Sequence, residues 1–112
     1  GLWEKRGELT KTLSGGQKRR LWVATALLGH ANLILLDEPT SGMDPSSRQD
    51  LWTLLEEQRE LGRSILFTTH YLEEADILAD RKAVMSMGEL RCLGTSQQLK
   101  AQYGVGYTLR LL

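Results

Sequence analysis

Two adjacent carboxylates follow a short apolar run in the first half of the chain. Residues 33–36 are all aliphatic, and Asp37 and Glu38 come directly after them. Such a run is typical of a strand buried in a parallel sheet, which would deliver both carboxylates to the edge of that sheet. Asp37 would suit a magnesium ion, which prefers carboxylate oxygens, and Glu38 would suit a general base acting on water. The alternative interpretation is a strand that runs into an ordinary acidic turn.

A second pattern, Ser14-Gly15-Gly16-Gln17, stands immediately before a predicted helix. The two glycines allow backbone N–H groups to approach a phosphate closely, and the N-terminus of the helix favours an anion. The hydroxyl of Ser14 adds a further donor. In the alternative interpretation this segment is an ordinary loop in which Ser14 only caps the helix.

The elements that must position these residues alternate between helix and strand. Apolar spacing and turn residues predict helices over 18–28, 45–61 and 72–79, and strands over 33–36, 64–69 and 83–87. This alternation predicts an α/β fold with a mostly parallel sheet flanked by helices, the first strand being covered on both faces.

The region after the third strand predicts a C-terminal β-hairpin. A turn at Gly88-Glu89 leads into a return strand over 90–93, and a capping box of Thr95 and Gln98 begins a short helix that reaches Tyr103. Residues 107–112 are predicted as a final edge strand.

Ligands of open α/β sheets gather at the carboxyl ends of the strands. The first predicted strand ends at Asp37-Glu38 and the second ends at Thr69-His70. We therefore expect His70 to lie near the two carboxylates, although a lone histidine at a strand end is often only a surface residue. His30 matches no pattern and is expected to be exposed. The three tryptophans are interpreted as packing residues, and Cys92 as a small residue of the hairpin.

The composition narrows the function classes. The chain has 112 residues, with 14 basic and 14 acidic side chains, so its charge does not support nucleic-acid binding. It contains no apolar run of roughly 18 residues, so a link to a membrane is expected to come from another part of the protein or from a partner. The basic cluster at 18–20, Lys18, Arg19 and Arg20, is interpreted as a solvated helix face rather than as a phosphate-attracting patch.

Three motifs together carry a resemblance to the ATPase domains of ABC transporters. Residues 13–17 resemble the signature motif, residues 36–45 resemble a Walker B motif that runs into a D-loop, and residues 68–70 resemble the loop of the switch histidine. The resemblance covers roughly residues 10–95. It implies a partial P-loop NTPase fold in which residues 1–112 form a single partial domain, with 95–112 as a C-terminal extension of a helix and an edge strand.

The resemblance implies a role for each motif residue. ATP and Mg²⁺ are the implied cofactors, with Asp37 serving the metal, Glu38 the attacking water and His70 the γ-phosphate. Five residues of the signature motif and the D-loop would act across the interface with a second ABC ATPase domain arranged head to tail: Ser14, Gly15, Gly16, Gln17 and Asp44. The remaining implied partners are the transmembrane domains of a transporter, which would place the chain on the cytoplasmic face of a membrane.

Gly42 and Met43 in the D-loop, the stretch 88–95 and the tail 99–107 are similar to the A subfamily, which exports lipids. This similarity implies a domain that couples ATP hydrolysis to lipid transport. Two other functions stay open from the sequence. One is a soluble ABC-type ATPase of translation or DNA repair, and the other is a truncated, non-catalytic interaction module.

The printed sequence contains no Walker A motif, the glycine-rich loop followed by Lys and Ser or Thr. We therefore interpret the chain as the C-terminal part of an ATPase domain. We expect the 112-residue chain by itself to hydrolyse ATP negligibly, measured as steady-state phosphate release. A clear rate that Glu38→Gln abolishes would contradict this expectation.

Overall fold

The structure, a computed structural model, describes residues 2–103. The chain divides into two compact units, of which the first ends at His70 and the second begins at Tyr71. The interpretation of 1–112 as a single partial domain stays a prediction.

The first unit contains two helices and two strands in alternation. They are α1 (Gly15–Leu27), β1 (Leu33–Asp37), α2 (Pro45–Glu60) and β2 (Ser64–Thr68), preceded by single turns of 3₁₀-helix at Leu2–Lys5 and Thr10–Thr12. Helix α1 begins three residues earlier than predicted. The glycines before it are compatible with helical backbone once a capping residue holds the first turn.

Strands β1 and β2 pair in parallel, in register from Leu33 opposite Ser64 to Asp37 opposite Thr68. Helix α2 forms the crossover between them, α1 lies against β1, and α2 lies against β2. The prediction of a parallel strand–helix–strand unit is therefore confirmed for this part of the chain. Its buried apolar side chains come from the helices, from β1 and from the loop after β1: Val23, Ile34, Leu36, Met43, Leu51, Trp52 and Leu55.

The expectation that β1 is covered on both faces is wrong. Ile34 and Leu36 are buried, whereas Leu33 and Leu35 on the opposite face are exposed, as is Leu66 of β2. Successive side chains of a strand point to opposite faces, so an all-apolar strand carries no signal of which face is covered.

The tryptophans also differ from expectation. Trp52 is buried, but Trp3 and Trp22 are largely exposed. Each exposed ring lies beneath a guanidinium, that of Arg6 at 4.3 Å from the centroid of Trp3 and that of Arg19 at 5.7 Å from Trp22. These two rings therefore act as platforms for cations and not as core residues.

The second unit begins with α3 (Leu72–Leu78) and continues through β3 (Lys82–Ser86), β4 (Glu89–Gly94) and α4 (Ser96–Tyr103). The apolar spacing of α3 predicts a face of Leu72, Ala75 and Leu78, but the structure buries Leu78 and Glu74.

The predicted hairpin is formed by β3 and β4, with its turn one residue earlier than expected. Met87 and Gly88 both have positive φ, 54° and 75°, which is the backbone of a type I′ turn. The strands pair antiparallel with a bulge next to Val84. The capping box of α4 is confirmed, because Thr95 and Gln98 each accept the backbone N–H of the other at 3.0 and 2.9 Å.

A mostly parallel sheet is present only in part. In residues 2–103 the strands form two separate pairs, β1–β2 in parallel and β3–β4 in antiparallel. Pairing across a two-residue turn closes a far shorter loop than a crossover does, so β3 finds its partner locally in β4. The edge strand predicted at 107–112 lies outside the described residues.

Burial in the first unit yields a direct test of stability. Leu55, within α2, is 3% exposed, whereas Leu61, the residue directly after α2, is 75% exposed. We expect Leu55→Ala to lower the free energy of unfolding by about 2–5 kcal/mol, because it leaves a cavity among packed side chains. Leu61→Ala is the matched control, with an expected change within about 0.5 kcal/mol. Urea titration followed by tryptophan fluorescence measures both free energies of unfolding, and equal effects would contradict the difference in burial.

Candidate functional site

The carboxyl ends of β1 and β2 meet at Thr68. Its hydroxyl donates to Oδ1 of Asp37 at 2.5 Å and accepts the backbone N–H of Glu38 at 2.9 Å. The same N–H also bonds the Thr68 carbonyl at 3.1 Å. One threonine therefore orients both carboxylate residues. The sequence interpretation did not single out Thr68; the signal was its position opposite Asp37 at the end of the paired strand.

Glu38 and His70 are in direct contact, as the order of the strands predicts. Nδ1 of His70 lies 2.8 Å from Oε1 of Glu38, and the two side chains are 57% and 44% exposed. A carboxylate only accepts hydrogen bonds, so the Nδ1–H of the imidazole donates and Nε2 remains the second polar atom of the ring. The structure thus brings Asp37, Glu38 and His70 to one edge of the β1–β2 pair.

The Ser14–Gln17 loop forms the N-terminus of α1. Oγ of Ser14 accepts the backbone N–H of Gln17 at 3.1 Å, and Oε1 of Gln17 accepts the N–H of Ser14 at 2.9 Å. This capping box leaves the N–H groups of Gly15 and Gly16 without intrahelical acceptors, as at any helix start. Ser14 therefore caps the helix, and the cap does not use its hydroxyl proton, so the phosphate-binding interpretation stays a prediction.

A side chain on either glycine of this loop would meet no neighbouring atom within 4 Å. Neither glycine is therefore required by packing within the chain. Their absent side chains leave open space in front of the first N–H groups of α1, which is compatible with close approach of an external group.

The basic residues after the loop are not a solvated face. Nη1 of Arg19 donates to the carbonyl oxygen of Glu38 at 3.0 Å, and Nη2 of Arg20 donates to Oγ of Ser47 at 3.4 Å. The solvated-face interpretation is wrong for these two arginines. A helical spacing pattern does not reveal contacts with residues 19 and 27 positions further along the chain.

Asp44 caps the N-terminus of α2, as its position directly before Pro45 predicts. Its Oδ2 accepts the backbone N–H of Ser47 at 3.2 Å. Hydrogen bonds from the side chain and then the backbone of Ser47 hold the pKa of Asp44 below its ordinary value. The D-loop before it includes Gly42 at φ 77°, a conformation that suits glycine.

The donor set at the strand ends fits a magnesium ion shared with phosphates. In residues 2–103, no three His, Cys, Asp or Glu side chains are grouped to hold a metal by themselves. Magnesium in nucleotide sites commonly takes one or two carboxylates, with phosphate oxygens and waters as its other ligands. Asp37 is exposed and shares only one hydrogen bond with Thr68, which leaves acceptor capacity on its carboxylate.

Comparison with known proteins gives consistent matches. The family model described as ABC transporter matches residues 2–41. The cholesterol transporter ABCA5 of Mus musculus is 55% identical over 101 residues, which are 90% of this chain and 6% of that protein. The phospholipid-transporting ATPase ABCA3 of Rattus norvegicus is 48% identical over 112 residues, all of this chain and 6% of that protein. ABC transporter A family member 11 of Arabidopsis thaliana is 54% identical over 94 residues, 84% of this chain and 10% of that protein.

The chain belongs to the ABC transporter family, as its motifs predict. Over most of its length the chain is about half identical to ABC transporters of the A subfamily, which it resembles. The chain spans only 6% of the length of the mouse and rat relatives named above. None of the helices in the described part of the chain is long and apolar enough to cross a membrane.

The cap of α2 should depend on pH. The lowered pKa of Asp44 means that its cap contributes stability above the unfolded-state pKa of about 3.9 and loses it as the pH falls through the folded value. We expect Ser47→Ala to raise the Asp44 pKa toward its ordinary value, measured by ¹³C NMR titration of the carboxyl. The stability difference between the wild type and Ser47→Ala should then shrink below about pH 4.

Ser46→Ala is the control for this titration, because only the backbone of Ser46 contributes to the lowered pKa of Asp44. An Asp44 pKa that Ser47→Ala leaves in place would assign the shift to another cause.

Proposed function

We propose that this chain is part of the ATP-binding and ATP-hydrolysing domain of a membrane transporter and that it couples hydrolysis to the movement of lipid. The observation that carries the proposal is the meeting of Asp37, Glu38 and His70 at the ends of two parallel strands. Thr68 bonds Asp37 and Glu38 there, and His70 bonds Glu38 directly. This is the edge at which α/β folds place their ligands. For this chain we propose part of a P-loop NTPase fold.

Each strand-end residue has a defined part in the proposed reaction. Asp37 would hold Mg²⁺, which neutralises phosphate charge when it is bound with ATP. Glu38 accepts a proton from the attacking water, whose oxygen bonds to the γ-phosphorus as the bond to the bridging oxygen breaks and ADP leaves. His70 donates to Glu38 through Nδ1, and its imidazole would act toward the γ-phosphate.

The helix N-termini would serve a different nucleotide. The Ser14–Gln17 loop offers N–H groups, a hydroxyl proton and the positive end of α1 to the triphosphate held by a second ATPase domain. Asp44 at the start of α2 would lie at the interface between the two domains. Both domains would act on transmembrane segments from the cytoplasmic face of a membrane.

The proposal that the substrate is a lipid depends on the names of the relatives. Two of them are named as a cholesterol transporter and a phospholipid-transporting ATPase. These names favour a transporter over a soluble ATPase of translation or DNA repair. Because the two names give lipids of different chemistry, they support lipid as the class of substrate but do not identify one molecule.

Glu38→Gln tests the catalytic role in the complete protein that carries this chain, reconstituted in liposomes. We expect ATP binding within about threefold of the wild type and phosphate release lowered by at least about 100-fold, because the amide cannot accept the water's proton. Movement of a labelled phospholipid or sterol between leaflets should stop in the same variant.

The matched control is Glu57→Gln, the same chemical change at an exposed site on α2. Phosphate release that survives Glu38→Gln would remove Glu38 from the reaction. Normal hydrolysis in the wild type with no lipid movement would leave the ATPase proposal standing and overturn the lipid substrate.

A further inference from the structure

Glu38 has an unusual backbone conformation for a residue with a side chain. Its φ is 45°, in the left-handed region that glycine and asparagine occupy most readily. Residues held in this region persist only where the surrounding structure fixes them from several sides. The groups that hold Glu38 therefore also determine where its carboxylate points.

Hydrogen bonds hold both peptide groups of Glu38. On the amide side, Thr68 accepts the N–H through its carbonyl and its hydroxyl oxygens. On the carbonyl side, Ser41 donates its backbone N–H at 3.2 Å, and Nη1 of Arg19 donates at 3.0 Å. Thr68 and Ser41 belong to the strand ends and the turn after β1, whereas Arg19 comes from a different element, α1.

Arg19 is placed for this contact by its own helix. It lies on the second turn of α1, it is half-buried, and its guanidinium lies over the ring of Trp22 one turn further along. The planar guanidinium needs little further ordering to donate to one carbonyl oxygen once the ring supports it. Arg19 is therefore held at both its stacking and its hydrogen-bonding surfaces.

We propose that Arg19 is a positioning residue for Glu38. Its hydrogen bond to the Glu38 carbonyl fixes the strained peptide and keeps the carboxylate aimed beside His70. The proposal rests on the proposed function, in which Glu38 accepts the proton of the attacking water. Because α1 starts at the Ser14–Gln17 loop, any displacement of that loop along the helix also moves the donor that holds Glu38.

The experiment compares variants of the complete protein by the kcat and KM of ATP hydrolysis, with kcat taken per nucleotide-binding-competent protein. Arg19→Met keeps an apolar stem of similar length against Trp22 and removes the donor. We expect kcat to fall about 5–10-fold with KM for ATP within about twofold, because one hydrogen bond is lost and the carboxylate is less well aimed. Arg19→Lys keeps a cationic donor and should retain at least half of the wild-type kcat.

Lys18→Met is the matched control, since it removes the neighbouring cation on the same helix and should leave kcat unchanged. A purely structural role for Arg19 would lower the thermal midpoint and the competent fraction but not kcat per competent protein. Arg19→Ala is the second variant if Arg19→Met does not fold, with the same expected loss of kcat.

The outcomes separate this inference from the function on which it rests. Abolished hydrolysis in Glu38→Gln with wild-type kcat in Arg19→Met, or a kcat for Arg19→Lys as low as that of Arg19→Met, would overturn the positioning role alone. Unchanged hydrolysis in Glu38→Gln would overturn the proposed role of Glu38 and the positioning role with it.

Discussion

The hydroxyl of Thr68 is the group on which the candidate site depends. It forms hydrogen bonds with the side chain of Asp37 and the backbone of Glu38, so it links the carboxyl ends of β1 and β2 at one edge of the strand pair. This arrangement requires the register of the two strands to be correct to the residue. A slip by one position would turn Asp37 and Thr68 to opposite faces of the sheet. The buried face, with Ile34 and Leu36, thus indirectly sets the position of the candidate site residues.

The strained backbone of Glu38 shows how the rest of the first unit stabilises this edge of the strand pair. A non-glycine residue in a sparsely populated backbone region costs about 1–3 kcal/mol. Each hydrogen bond to its peptide groups contributes about 1 kcal/mol net, and Thr68, Ser41 and Arg19 together supply such bonds on both sides. Local turn geometry, the neighbouring strand and helix α1 therefore act together on one residue.

Much of the fold was readable from the sequence because its signals are local. Pro45 after Asp44, and Thr95 with Gln98, predict the starts of α2 and α4, and the structure confirms both. The approach of His70 to Glu38 followed from the rule that parallel strands end at a common edge. These predictions need only spacing, capping chemistry and strand polarity.

The errors concern contacts between distant residues. The covered face of β1, the exposure of Trp22 and the bonding of Arg19 to Glu38 all depend on which elements pack together. No periodicity within a helix or strand carries that information. Thr68 was placed in the motif 68–70 but given no role of its own for a related reason: its role depends on its partner across the strands and not on its neighbours along the chain.

The left-handed backbone at residue 38 sets folding and function against each other. Glycine adopts this conformation without steric cost, so a glycine there would relieve strain and remove the carboxylate at once. A copy of this chain released from hydrolysis would gain stability by that exchange, since functional sites are commonly retained at the expense of stability. Under the proposed function, glutamate at this position keeps the carboxylate at a cost in backbone strain that its hydrogen-bond partners offset.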